Sequence, residues 1–259
     1  MIIDSHMHMG LTWGGYGYSE TLDELLALMD ELGIGYCICS AGISICVSAL
    51  EEGDALARRI YERSGGRVLS YHVYDPRRAE KSLEIMRREG EMYVGIKLHP
   101  SFHYTDAADE RYRPAWELAR ERRLPLLSHT WDVSPTNPKQ RFSHPSRFVK
   151  YLEEYPDVRF IMGHSGGRYA AIKEAVEAGR RFPQVMFDVA GDIHIARLTE
   201  YLVENVGGDR VLYGSDWPMM DPRTQLGAVL AADIGDDCRE KILWDNAAEL
   251  FSIEGRKRA

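Results

Sequence analysis

Two histidines one residue apart, His6 and His8, close an apolar N-terminal run, Met1-Ile2-Ile3-Asp4-Ser5-His6-Met7-His8. On a strand, residues i and i+2 point to the same face, so both imidazoles share one side. Two neutral imidazoles side by side can hold one divalent cation, and histidine is the commonest ligand for such ions. Short matches of this kind also arise without a metal, so further ligands have to come from elsewhere in the chain. Later apolar runs end in Lys97-Leu98-His99, Ser128-His129, Gly163-His164 and Ser215-Asp216. His6, His8, His129 and Asp216 offer three nitrogens and one oxygen, a set that suits Zn²⁺ or a similar transition ion. A water bound to such an ion ionises near neutral pH and becomes a nucleophile. Asp216 can accept its proton, and His164 can polarise a carbonyl or move a proton. A lone histidine at a strand end is usually a hydrogen-bonded structural residue. Four runs each ending in His or Asp, with a lysine among them, are harder to explain that way.

These side chains act together only if the fold brings the run ends to one place. Strand-like runs rich in Val, Ile, Leu, Tyr or Phe fall at 1–6, 36–40, 68–73, 93–98, 125–129, 158–163, 185–189 and 211–214. Amphipathic helical segments lie at 21–32, 111–123, 145–155, 169–181, 195–205, 224–232 and 237–251. The first begins at Thr21, has Glu24 at the capping-box position and stops at Gly33. Near-continuous apolar strands alternating with helices point to buried parallel strands. Eight such units in 259 residues predict an α/β fold, a single (β/α)₈ TIM barrel over 1–259, with an open doubly wound sheet as the alternative. In a barrel the C-terminal ends of the strands share one face, where active sites form. The long loops 9–20 and 130–143 belong at that face, and Tyr16 and Tyr18 in the first are positioned to serve a lid.

Composition narrows the function. The net charge of -8 argues against nucleic acid or anionic membrane as a partner through bulk charge. No apolar stretch approaches the ~20 residues that span a bilayer, and no secretory signal is evident. Four cysteines are sparse for this length, which argues against a disulfide scaffold and makes the cytoplasm the default compartment. Gly163-His164-Ser165-Gly166-Gly167 matches neither a Walker A motif nor a dinucleotide fingerprint, so nucleotide binding is rejected.

Five motifs in order, Asp4-Ser5-His6-Met7-His8, Gly95-Ile96-Lys97-Leu98-His99-Pro100, Leu124-Pro125-Leu126-Leu127-Ser128-His129, Gly163-His164-Ser165-Gly166-Gly167 and Gly214-Ser215-Asp216-Trp217-Pro218, resemble the amidohydrolase superfamily. The closer likeness is to its amidohydrolase-related branch, which includes aminocarboxymuconate-semialdehyde decarboxylase, related decarboxylases, lactonases and hydrolases. The closing Asn246-Ala247-Ala248-Glu249-Leu250-Phe251 resembles the family's last helix. The resemblance implies a (β/α)₈ barrel, a metal on His6, His8, His129 and Asp216, and His164 beside the metal as a catalytic residue. Some superfamily members carry a carbamylated lysine at the end of strand four that bridges two metals. The branch generally uses one metal without that bridge, which favours an unmodified Lys97 and a single divalent ion, Zn²⁺ first and Mn²⁺ as the alternative.

A buried ammonium beside a cation needs an anion between them, so Lys97 suggests a substrate carboxylate. Lys97 and His99 share a strand face, and either can point into the barrel. Arg168 can clamp a carboxylate in bidentate fashion, and Trp131, His103 and Trp217 are candidate pocket walls. The expectation is a metal-dependent hydrolase of a small amide, lactone or ester, with Asp216 moving the proton and His164 stabilising the oxyanion. The alternatives are non-oxidative decarboxylation of a small carboxylic acid and a non-catalytic metal-binding barrel. A homodimer is the base-rate expectation for assembly.

Overall fold

Each of the eight apolar runs becomes a parallel strand in the computed structural model, which describes residues 1–10, 21–88 and 90–253. The strands are β1 (Ile2–Met9), β2 (Ile34–Ala41), β3 (Val68–Val73), β4 (Tyr93–Leu98), β5 (Leu126–His129), β6 (Phe160–Gly163), β7 (Val185–Asp188) and β8 (Val211–Leu212). They pair in sequence order, each parallel to the next. The end of β8 reaches back to β1: Ser5 N donates to Tyr213 O at 3.0 Å, Asp216 N to His6 O at 2.8 Å, and His8 N to Trp217 O at 2.7 Å. Helices alternate with the strands, so the chain is a (β/α)₈ TIM barrel. No described helix is long and apolar enough to cross a membrane. The expected lid residues Tyr16 and Tyr18 lie outside the described residues.

Two apolar layers follow from the alternation of side chains across a strand. Every strand gives a residue to an inner cluster that includes Ile3, Ile38, Leu69, Leu127, Ile161 and Leu212. Ala247 and Ala248, in the helix Asn246–Leu250, and Phe251 just after it join this inner cluster. The outward residues, among them Met7, Met9, Ile96, Phe160 and Phe187, pack in a second cluster with Leu25, Met29, Trp116 and other helix residues.

In β1 the two layers do not follow from simple alternation. Asp4 lies opposite Cys37, whereas Met7 lies opposite Cys39. Three steps on β1 therefore match two on β2, a β-bulge at Ser5–His6 that adds one residue and reverses the phase of the strand. Ile3 faces the inner cluster below the bulge, and His6 and His8 share its side above it.

The helix at Leu22–Leu32 has Thr21 as N-cap in a reciprocal capping box with Glu24, and ends at Gly33 in the left-handed conformation. The helix at Tyr169–Arg181 has the expected bounds. Helices at Leu50–Arg63 and Ala79–Met86 were not expected. Neither has a side-chain N-cap, and Gly53 weakens helix propensity within the first turn of the former. The expected segment 237–251 is broken by a π-helical stretch, Lys241–Asp245, whose Ile242 carbonyl accepts from Tyr213 N at 3.0 Å. The irregularity thus ties the closing helix to β8.

His72 on β3 is a buried histidine outside the mouth of the barrel. Its ring stacks on Tyr93 with centroids 3.4 Å apart, and its Nε2 has no hydrogen-bond partner. Burial, with Arg122 and Arg88 nearby, pushes its pKa down to about 3. The folded chain therefore keeps this imidazole neutral, while the unfolded chain protonates it below its ordinary value near 6.5. Stability is lost as pH falls from about 6.5 towards 3, at about 1.4 kcal/mol per pH unit for this group. Urea unfolding of His72→Leu is expected to show a shallower loss of stability between pH 7 and pH 5 than the parent chain, by about that slope.

Candidate active site

The C-terminal ends of β1, β4, β5, β6 and β8 deliver polar residues to one cavity of about 580 Å³, and Asp192 from the loop after β7 joins them. His8, Lys97, His99, His129, Trp131, His164, Arg168 and Asp216 all line it. His6 lies fully buried behind them. The expected wall residues His103 and Trp217 do not line it. His103 is buried against Tyr112, its Nδ1 3.4 Å from the hydroxyl, and Trp217 packs in the outer apolar cluster.

At the floor, the ligand atoms of His6, His8 and Asp216 lie within 4.8 Å of one another. His8 Nε2 is 3.1 Å from Asp216 Oδ1, and His6 Nε2 is 4.0 Å from the same oxygen. Asp216 Oδ1 nevertheless takes part in no aligned hydrogen bond, and His8 Nδ1 also lacks a partner. A buried carboxylate oxygen without a partner is costly in a native structure, and this one faces the Nε2 atoms of His8 and His6. The protonation states suit a cation. Burial pushes the His6 and His8 pKa values down, which keeps both rings neutral. Burial alone raises Asp216, but His164 and His8 beside it outweigh that and hold it at about 2, ionised. Two neutral imidazoles and a carboxylate are the donor set of a divalent metal site.

Asp188, at the end of β7, is a residue the sequence reading missed. Its Oδ2 accepts from His6 Nδ1 at 2.9 Å, and its Oδ1 accepts from His164 N at 2.7 Å and Ala190 N at 3.1 Å. With the carboxylate on Nδ1–H, His6 presents the lone pair of Nε2, the usual arrangement for a ligating histidine. The ligand atoms of His6, His164 and Asp188 form a second close group. A lone acid closing the apolar run Val185-Met186-Phe187-Asp188 was the available signal. Asp4 plays a similar bracing part: its Oδ1 accepts from His6 N at 3.2 Å and Ser215 N at 3.0 Å, joining β1 to β8 beneath the site. Burial raises its pKa to about 7, against those hydrogen bonds.

Lys97 is 1% exposed, and its Nζ donates to His6 Nε2 at 2.7 Å. Burial lowers its pKa to about 8, opposed by Asp216 and Asp188.

His129 stands apart from the close groups. Its ring stacks between His99, with centroids at 4.3 Å, and Trp131, at 5.8 Å. Its Nε2 donates to Gln140 Oε1 at 3.0 Å, which leaves Nδ1 as the unprotonated atom. The ring of His164 meets it edge-on at 4.9 Å. His164 donates Nδ1–H to Ala190 O at 2.9 Å, so its Nε2 is the atom free to exchange a proton with the cavity. Gly191 makes this possible: at φ +94° it passes so close that an added Cβ would lie 2.6 Å from His164 Nδ1. Three non-glycine residues of the site, His164, Ser165 and Asp216, have φ of 63°, 50° and 66°. Such strained positions persist where the surrounding structure holds them in place. At the rim, the Arg168 guanidinium pairs with Asp192 at 2.5 Å and lies 5.4 Å from the centroid of Trp131.

Residues 3–253 match the family model described as Amidohydrolase. The gamma-resorcylate decarboxylase of Rhodococcus jostii (strain RHA1) is 25% identical over 181 residues, 56% of this chain and 55% of that enzyme. The chain thus spans about half the length of the curated relatives it matches. A dihydroxybenzoic acid decarboxylase from Polaromonas sp. JS666, solved with bound manganese and the inhibitor 2-nitroresorcinol, superposes with a TM-score of 0.73 at 18% identity, covering 97% of each chain. An amidohydrolase from Burkholderia multivorans with bound zinc superposes at 0.76 and 15% identity, covering 97% of this chain and 99% of that one.

The relatives named decarboxylases overturn the expectation of a hydrolase of amides, lactones or esters. The expectation failed for a physical reason: a His/Asp cation site and a neighbouring histidine serve water activation and decarboxylation equally well, so the strand ends do not choose between them. The fold, the order of the motifs along it and the match over residues 3–253 agree: the chain belongs to the amidohydrolase family.

Proposed function

We propose that the chain is a metal-dependent, non-oxidative decarboxylase of a small carboxylic acid. The observation that carries this reading is the floor of the cavity, where ionised Asp216 stands against neutral His6 and His8 beneath planar and cationic walls. The names of the relatives support the reaction type. In this reading His6, His8 and Asp216 hold one divalent ion, Zn²⁺ or Mn²⁺, with His129 Nδ1 as a further ligand. When bound, the ion supplies a fixed positive charge that attracts the oxygens of the substrate to the floor.

The protein groups do the rest. Trp131, His129 and His99 form one stack of parallel rings along the wall, against which a flat acid lies, and Asp188 keeps His6 in the required tautomer. The bond that breaks joins the carboxylate carbon to its neighbour, and its electron pair stays on that neighbour. His164 delivers a proton from Nε2 to the same carbon, and carbon dioxide leaves. Asp216 stabilises the protonated form of His164 before transfer. The ring of His164 and the carboxylate of Asp216 stand beside the same glycine: an added Cβ on Gly191 would lie 2.6 Å from His164 Nδ1 and 3.5 Å from Asp216 Oδ2.

The test is direct. Protein purified with Zn²⁺ or Mn²⁺ is incubated with dihydroxybenzoic acids and benzoate, and released carbon dioxide and loss of acid are followed together. At least one acid is expected to be consumed with equal release of carbon dioxide, and a chelator is expected to stop the reaction until metal is restored. Absence of carbon dioxide release across a panel of small aromatic and aliphatic acids would sink the proposal.

A further inference from the structure

Three cations line the cavity, Lys97, Lys139 and Arg168, and their surroundings differ. Lys97 is 1% exposed and belongs to the floor, beside His6, Asp216 and Asp188. Arg168 is neutralised across the rim by Asp192, which lines the same cavity. Lys139 sits in the turn Pro138–Phe142 that follows β5. Its Nζ lies 4.3 Å from the centroid of the Phe102 ring. No ion pair joins it to a carboxylate among the described residues. An aromatic face attracts an ammonium but leaves its charge in place. The stem of Lys139 is half-buried, so the charge is held at the mouth instead of sweeping through solvent. On a chain of net charge -8, a cation with no carboxylate partner among the described residues, held in a concave mouth, is a local positive spot that draws anions in.

A decarboxylase gains little by clamping the leaving carboxylate with a strong ion pair, because that stabilises the ground state as much as the transition state. A cation away from the reacting carbon is better used on a group that does not react. We propose that Lys139 is the specificity-determining cation of this site, pairing at the mouth with a second anionic group on the acid whose reactive carboxylate is turned to the floor. The inference rests on the decarboxylase reading for the orientation of the ligand, and on the charge inventory for the identity of the residue. The preferred ligands are then dianions. Arg168 contributes less to this preference, since an incoming anion must displace Asp192 to reach it.

Calorimetric titration of the metal-loaded protein with benzoate and with isophthalate, at low and at physiological salt, tests this. The dicarboxylate is expected to bind about tenfold more tightly than benzoate at low salt, with the gap narrowing as salt rises. Lys139→Met is expected to bring the ratio close to one, and Lys139→Arg to retain most of it. Arg168→Met is expected to lower the ratio less than Lys139→Met. A ratio near one in the parent protein, or a ratio that survives Lys139→Met, overturns the assignment. The two readings fail separately. If the ratio collapses in Lys139→Met but no acid loses carbon dioxide, the decarboxylase reading and the ligand orientation fall, and Lys139 stands as the cation that selects dianions. If acids are turned over and the ratio survives, the reverse holds.

Discussion

Replacing Asp216 with Asn is expected to lower turnover by about a thousandfold or more and to leave the purified protein with little divalent metal. The substitution keeps the shape of the side chain and removes its charge. Asp216 Oδ1 stands 3.1 Å from His8 Nε2 and 4.0 Å from His6 Nε2, so it is the negative member of the floor group. A neutral amide is a far weaker ligand for a hard or borderline cation. In the proposed reaction the same charge supports the proton delivery by His164, and losing a positioned proton-transfer group costs about 10²–10⁴ in rate by itself. Elemental analysis of the bound metal, with turnover measured at saturating metal, separates the two losses. Native metal content together with near-native turnover would remove Asp216 from the site. Circular dichroism is expected to be unchanged, because Asp216 Oδ1 makes no aligned hydrogen bond.

Asp188 is expected to behave differently, and its two substitutions diverge. Asp188→Ala removes the acceptor for His6 Nδ1, His164 N and Ala190 N at once, all buried. Unpartnered buried donors make this expensive, about 3–5 kcal/mol of folding stability. Asp188→Asn keeps one acceptor oxygen for the two backbone groups, but its amide NH₂ then faces His6 Nδ1. His6 has to turn over its tautomer, which places a proton on Nε2 and spoils that atom as a ligand. Asp188→Asn is therefore expected to stay folded and to lose about 10–100-fold in metal affinity, the range seen when a partner of a ligating histidine is changed. Urea unfolding and metal titration of the two variants read the two effects. Equal metal affinity in parent and Asp188→Asn would show that His6 is oriented by something else.

The strands were legible because buried parallel strands are continuous apolar runs, and the runs ending in His6, His99, His129, His164 and Asp216 reach one face. The pairing of His6 with His8 on one side was legible from their spacing. That they point inward was not, because strict alternation from Ile3 puts them on the opposite face, and the bulge that corrects this leaves no compositional mark. Asp188 was missed because its partner His6 is 182 positions away, and one acid at a strand end is an ordinary sight. Gln140 escaped for the same reason: only the folded loop brings it to His129. Trp217 belongs to the motif that ends β8 and His103 follows the one that ends β4, so residue type and position alone make both candidate walls. Burial in the packing beneath the loops depends on contacts from distant elements. The reaction was misjudged because ligand identity reports a cation, whereas the bond to be broken is set by the walls.

The bulge at Ser5–His6 divides β1 into two segments that keep different counts. Below it, parity is set by the apolar interior; above it, by the ligands. Inheritance must therefore preserve the number of residues between Ile3 and His6, and not merely the His-x-His signature. Homologous chains that keep both histidines but gain or lose one residue in that interval would carry the signature facing the helices, where it is decoration. In this family a motif search that ignores the offset from the first buried isoleucine will count such chains as relatives in function when they share only letters.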